Sequence, residues 1–296
     1  MAATLFEMGY EIGGFCAYTH NSVLKGSGMS SSAAFEVLVG NIISGLYNDM
    51  KIDPVQIAIA AKIAENDYFG KPCGLMDQLA CSFGSLINVD FEDPEEPKIK
   101  PLKLNLAEEG YSLCIVDTKG SHEDLTDDYA AVPAEMKAVA RALGKEYLRE
   151  VDEEEFYENL SDVRKCAGDR AVLRAIHFFE EEKRVDKEAD AVESGNLQEF
   201  FNQVNRSGRS SFQYLQNVYS PAHPEAQGLS LGVALSDVIL GDRGAFRVHG
   251  GGFAGTIQAY VPNDLVEEYR NSLDALFGEG SCHILSIRKQ GGTKVY

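Results

Sequence analysis

The sequence predicts an α+β protein organised in two domains. Three observations carry that expectation. The chain has 296 residues, more than most single cores hold. Its apolar residues fall at helical spacing in some segments and form short strand-like runs in others. No internal repeat or low-complexity linker breaks the order of those segments. A boundary is expected near Ser121, giving domains 1–120 and 121–296.

The elements are read in chain order. Phe15 to Leu24 is expected as a strand, ending in the glycine turn Lys25-Gly26-Ser27-Gly28. Beyond Ser30-Ser31-Ser32, the residues Phe35, Leu38, Val39, Ile42, Ile43 and Leu46 mark one face of a helix, with the serines capping its start. Asp53-Pro54-Val55-Gln56 opens a second helix: Asp53 is the N-cap, Pro54 suits the first turn and Gln56 takes the capping-box position. That helix is expected to reach Glu65 or Tyr68 before the loop at Gly70 to Gly74. Leu75 to Ser82 reads as a short helix and Ser85 to Val89 as a strand. Pro94, Pro97 and Pro101 mark an edge or loop. Tyr111 to Thr118 reads as a buried strand, and Met136, Val139, Ala140 and Leu143 share a helix face that Gly144 stops. Residues 171–207 are mostly helical, Thr256 to Val261 alternates like a strand, and Cys282 to Arg288 is a further strand.

Composition narrows the function. Apolar residues make up 44% and charged residues 25%, as in an ordinary globular protein. Runs such as Ile57 to Ala61 are too short to cross a bilayer, and the first ten residues lack the basic start of a signal peptide. A net charge of −19 repels phosphate backbones and anionic lipid, so neither nucleic acid nor a membrane surface is an expected partner. The acid runs at Glu153-Glu154-Glu155 and Glu180-Glu181-Glu182 read as solvated helix faces. Six cysteines without a C-x-x-C pair are expected to be free thiols in a reducing cytoplasm.

Four constellations could carry chemistry. In Gly26-Ser27-Gly28-Met29-Ser30-Ser31-Ser32-Ala33-Ala34, glycines admit an anion to the backbone and a helix start supplies unpaired N–H groups. It is neither a Walker loop nor a dinucleotide fingerprint, and a plain serine-capped turn explains it equally well. Glu65 and Asp77 are two carboxylates of the kind phosphoryl transfer needs, one for Mg²⁺ and one for the attacking hydroxyl, although each alone reads more simply as a surface or capping acid. His249-Gly250-Gly251-Gly252-Phe253-Ala254-Gly255 matches G-x-G-x-x-G literally, but no βαβ unit follows, so it reads as a tight turn between strands. Asp117-Thr118-Lys119-Gly120-Ser121-His122 holds the residue types of a hydrolase triad without the nucleophile elbow.

In this order the strings resemble the galactokinases, a branch of the GHMP small-molecule kinases. Gly26 to Ala34 is similar to the ATP loop P-x-G-x-G-L-S-S-S-A-A, with Leu24 for the proline and Met29 for the leucine. Cys73-Gly74-Leu75-Met76-Asp77-Gln78 is similar to the signature C-G-I-M-D-Q. Arg247 to Gly255 resembles R-x-x-G-x-G-F-G-G, with Ala254 for a glycine, a replacement compatible with a negative φ. The resemblance implies a two-domain GHMP kinase fold and MgATP-dependent phosphorylation of the anomeric hydroxyl of galactose. It implies that Gly26, Ser27, Gly28, Met29, Ser30, Ser31 and Ser32 hold the ATP phosphates, and that Ser32 and Glu65 bind Mg²⁺. Asp77 is implied as the catalytic group facing the sugar hydroxyl, with Tyr129, Gly251 and Gly252 beside the substrate. The family often has paired arginines after that tyrosine, where this chain has Ala130-Ala131. The family string G-R-x-N-L-I-G-E-H-x-D-Y is absent from the sequence. The expectation is therefore an incomplete first domain, impaired turnover, and an exposed sheet edge that invites oligomers or low solubility. The alternatives are a GHMP kinase for another sugar or alcohol, and a non-catalytic sugar- and ATP-binding regulatory relative.

Overall fold

The computed structural model describes residues 1–21, 23, 30–70, 73–93, 96–120 and 125–295. They form two compact units, one of residues 1–104 with 287–296 and one of residues 105–286. Helix and strand are mixed in both, in keeping with the α+β expectation.

The first unit begins with α1 (Ala2–Glu7), α2 (Ser31–Tyr47) and α3 (Pro54–Ile63), and α3 continues into a π-helical turn at Ala64–Tyr68. α4 (Met76–Phe83) leads into a two-stranded antiparallel sheet of β1 (Leu86–Asp90) and β2 (Lys98–Leu102). Asp53 caps α3 as its sequence predicts, its Oδ1 accepting from the Val55 N–H at 2.8 Å with Pro54 in the first turn. Leu5, Val37, Ile43, Ile57, Ala60 and Ala61 pack where α1, α2 and α3 meet. Ala58, Leu75 and Leu79 form a second cluster against Ile87, Val89 and Ile99 of the hairpin. The chain returns to this unit at its end. The Arg288 carbonyl accepts from the Ser85 N–H, and a Cβ on Gly291 would lie 1.9 Å from the Ser82 carbonyl oxygen. Only glycine lets the two backbones approach so closely.

The second unit is built on an antiparallel sheet of order β4-β5-β3-β6, with β3 (Tyr111–Asp117), β4 (Ala245–His249), β5 (Thr256–Pro262) and β6 (Cys282–Leu285). β3 pairs with β5 from Tyr111↔Pro262 to Asp117↔Thr256. The helices are α5 (Thr126–Ala142), α6 (Glu153–Glu158), α7 (Leu160–Ala167), α8 (Asp169–Glu193), α9 (Leu197–Ser210), α10 (Gly228–Leu240) and α11 (Val266–Phe277). Cys114, Val116, Val248, Ile257, Ala259 and Val261 supply strand side chains to a core shared with Leu229, Leu240, Tyr269 and Leu273 of α10, its end, and α11. Val139, Phe156, Val163, Ala175 and Phe179 form a helical core among α5 to α8. The division after Leu104 puts β3 with its pairing partners, while the expected boundary near Ser121 lies within chain that belongs to this unit.

Several expectations change. No strand forms among the described residues of Phe15 to Leu24; Leu24 itself lies outside them. The helix after the serines forms, but Phe35, Leu38 and Leu46 are exposed on it, while Ala33, Val37, Gly40, Ile43 and Ser44 are buried. Ser30 sits at its N-cap in the left-handed region at φ 52 and makes no side-chain cap bond. Pro101 does lie at an edge: it sits inside β2 opposite Ile87, and in a two-stranded sheet each strand can spare an N–H. The last strand ends at Leu285 rather than Arg288. All six cysteines are free, as expected. No helix among the described residues is long and apolar enough to cross a membrane.

Candidate active site

Of the residues the resemblance assigns to ATP, Gly26, Ser27, Gly28 and Met29 lie outside the described residues, and Ser30, Ser31 and Ser32 lie within them. Ser31 begins α2, a 17-residue helix whose start has no side-chain cap. The first-turn N–H groups of such a helix have no intrahelical acceptor and favour an anion.

In the first turn of this helix, Ser32 Oγ donates to Glu65 Oε1 at 2.9 Å. The other oxygen of that carboxylate, Oε2, accepts from Gln78 Nε2 at 3.1 Å. Glu65 is 4% exposed and Gln78 1% exposed, while Ser32 is exposed, so the chain runs from the surface of α2 to buried groups on the π turn and α4. The π turn is what places Glu65. An extra residue in the turn shifts side-chain register, a feature that recurs at functional sites. Gln78 Oε1 is buried without a hydrogen-bond partner, a cost that an added donor or cation would relieve.

Asp77 precedes Gln78 in the first turn of α4 and is exposed. The loop before it is tied down by Asn66, whose Oδ1 accepts from the Cys73 N–H at 2.8 Å. Burial, followed by the nearby Glu65 carboxylate, pushes the Cys73 thiol up, so Cys73 stays protonated and is a poor nucleophile. Thus the first unit brings Ser32 and Glu65 together, with Asp77 adjacent in sequence to the residue that anchors Glu65.

The second unit holds Tyr129, Gly251 and Gly252. The Tyr129 hydroxyl donates to the Gly252 carbonyl at 2.8 Å, and its ring stacks edge-on against Phe253 with centroids 5.3 Å apart. Burial, with a smaller contribution from Asp128, pushes the phenol up from its ordinary value, so it remains a neutral donor. A Cβ on Gly251 would sit 2.9 Å from that ring. At Gly252, φ is +83 and a Cβ would fall 2.0 Å from the Asn217 carbonyl oxygen. That same carbonyl accepts from the Phe253 N–H, while Asn217 Nδ2 donates to the Gly251 carbonyl at 3.1 Å. Asn217, which sequence reasoning missed, therefore clamps the turn from both sides. Ala254 is not among the described non-glycine residues with positive φ, which explains why it can replace a glycine.

The hydrolase-like string does not assemble on what is described. Asp117 is held by Lys119 at 2.8 Å, and Ser121 and His122 lie outside the described residues. Among the described residues, no group of three or more His, Cys, Asp or Glu side chains could hold a metal. One carboxylate and one hydroxyl, as at Glu65 and Ser32, fit a hard cation such as Mg²⁺ that keeps waters and takes substrate phosphates as its other ligands.

Comparison with known proteins shows the family. Residues 1–85 match the GHMP kinases N terminal domain family. Galactokinase of Limosilactobacillus reuteri (strain DSM 20016) is 30% identical over 284 residues, covering 94% of this chain and 68% of that protein. Galactokinase of Actinobacillus pleuropneumoniae is 30% identical over 250 residues, covering 84% of this chain and 62% of that protein. The chain thus spans less than two thirds of the length of the latter relative. Lactococcus lactis galactokinase complexed with galactose shares the fold with a TM-score of 0.76 at 24% identity, over 99% of this chain and 74% of that one. Mevalonate kinase of L. major in complex with R-mevalonate shares it more distantly, with a TM-score of 0.56 at 15% identity, over 88% of this chain and 66% of that one. With a 30% identical relative matched over more than two thirds of its length, the chain belongs to the galactokinase family of GHMP kinases.

Proposed function

We propose that this chain supplies the phosphoryl-transfer machinery of a galactokinase, converting galactose and MgATP to galactose 1-phosphate and ADP. The observation that carries the reading is the chain Ser32–Glu65–Gln78, an exposed hydroxyl at the start of a helix bonded to two buried side chains, directly beside Asp77 in sequence. Bound MgATP would supply the phosphoryl group and neutralise its charge. Ser32 and Glu65 would hold the cation through oxygen ligands, and Gln78 would keep the carboxylate oriented. The N–H groups at the start of α2, with the glycines of residues 26–28, hold the phosphates. The anomeric oxygen forms the new bond to phosphorus, the bond to ADP breaks, and the hydroxyl proton passes to the Asp77 carboxylate. Tyr129 and the glycine turn shape the sugar side. The chemistry and the free cysteines suit a cytoplasmic enzyme.

The test is ATP consumption with galactose and a panel of other sugars and alcohols. Asp77→Asn is expected to keep nucleotide binding and lose turnover about 10²–10⁴-fold, the contribution of a positioned base. Preference for another alcohol would reassign the substrate. Near-normal kcat in the variant would remove Asp77 from the chemistry.

A further inference from the structure

The chain carries 46 acidic side chains against 27 lysines and arginines, yet one concavity of the second unit is basic. Arg184 and Lys187 of α8 and Arg206 and Arg209 of α9 line a single pocket of about 400 Å³. Each pair is spaced three residues apart, so each helix turns two cations toward the same side. α8 and α9 pack against one another, which makes the two pairs converge. Like charges at that spacing weaken a helix, and cations gathered around one hollow repel each other unless something negative lies between.

Three of the acids nearby are already engaged, and a fourth, Glu188, is pushed up to about 7 by burial. Arg184 is buried and paired with Glu181. Glu180, on the same wall, is paired with Lys183 at 3.3 Å. The Glu199 carboxylate accepts from Gln203 and Asn202, and Arg206 and Lys187 act on it only through space. Lys187, Arg206 and Arg209 make no ion pair or hydrogen bond among the described residues. Ser210 and Gln203 on the wall are buried polar groups, so the floor also offers hydrogen bonds.

We propose that this pocket binds a small phosphorylated metabolite with at least two negative charges, at a site separate from the residues assigned to ATP and sugar. Two arginine forks on one helix match the several oxygens of a phosphate monoester or pyrophosphate group. The volume suits a small molecule, and a net charge of −19 disfavours an extended polyanion such as nucleic acid.

The test is calorimetry on the whole chain with inorganic pyrophosphate and with glucose 6-phosphate as probes. Wild type is expected to bind at least one of them, more weakly as salt rises. Arg206→Gln with Arg209→Gln, and separately Lys187→Gln, are expected to weaken binding by about tenfold or more with an unchanged melting temperature. Ser32→Ala is expected to leave this binding intact. No binding by wild type at about 1 mM probe overturns the proposal. So does equal binding by the glutamine variants, or loss of binding in Ser32→Ala alone, which would place the anion at the start of α2. Tighter binding of a short single-stranded oligonucleotide than of either probe would assign the pocket to nucleic acid and overturn it as well.

Discussion

The polar chain at the start of α2 and the glycine turn after β4 are built on opposite principles. In the first, side chains do the work: a hydroxyl, a buried carboxylate and an amide from three elements meet within hydrogen-bond distance. In the second, the absence of side chains does the work. Gly251 and Gly252 leave room for Tyr129 and for the Asn217 backbone, and carbonyl oxygens are the groups left to be satisfied. The difference teaches which kind of substitution each region can bear. The first should tolerate changes of volume at its edge better than a change of charge, and the second the reverse.

The strongest way to break that comparison is Gly252→Ala. The added Cβ would meet the Asn217 carbonyl oxygen at 2.0 Å and force an alanine to φ +83. Overpacking and left-handed strain together are expected to cost about 2–5 kcal/mol. Urea unfolding followed by circular dichroism measures this, and the midpoint should fall while Mg²⁺-dependent nucleotide binding by the folded protein is retained. An unchanged midpoint would mean the turn is not clamped as described.

Glu65→Gln is the matching change in the other region, with the opposite profile. The amide nearly preserves shape but is a poorer ligand for a hard cation. Nucleotide affinity in the presence of Mg²⁺ should fall by about 10–100-fold, while affinity without Mg²⁺ stays the same. Fold stability should hold within about 1 kcal/mol, because removing a buried charge offsets the imperfect contact that the new amide makes with Gln78. Calorimetry with and without Mg²⁺, beside a urea curve, checks both halves. Equal titrations in the two proteins would reduce Glu65 to a structural acid.

The two regions also differ in how far the sequence exposes them. Asp53-Pro54 announced α3 because a cap and a first-turn proline are local signals, and local geometry is what they control. The face of α2 was misread because apolar residues occur nearly all round that helix, so spacing alone does not identify a buried stripe. Pro101 marks an edge or loop in the sequence, and only the pairing with Ile87 makes that edge a strand. Glu65 was visible as a carboxylate, but its burial depends on a π turn that no residue signals. Asn217 was invisible altogether. It acts at Gly251, 34 positions away, and nothing in its own neighbourhood marks a contact so remote in sequence.

The smallest expected effect separates two roles for Tyr129. Tyr129→Phe removes the 2.8 Å hydrogen bond to the Gly252 carbonyl and keeps the ring against Phe253. A single neutral hydrogen bond is worth about 0.5–1.5 kcal/mol net, so loss of this contact should lower stability by about that amount. If the hydroxyl only braces the turn, the Michaelis constant for galactose in an active preparation should stay within the same small factor. If it also meets the sugar, the Michaelis constant should rise about tenfold while kcat is kept, because contact made equally in the ground and transition states affects binding alone. Gly251→Ala supplies the control. Its Cβ presses on the same ring at 2.9 Å without removing the hydroxyl, so it disturbs position rather than chemistry. A matching rise in both variants would make Tyr129 a steric brace for the turn. A rise confined to Tyr129→Phe would give its hydroxyl a place at the substrate, and the glycine turn would then carry one side-chain function after all.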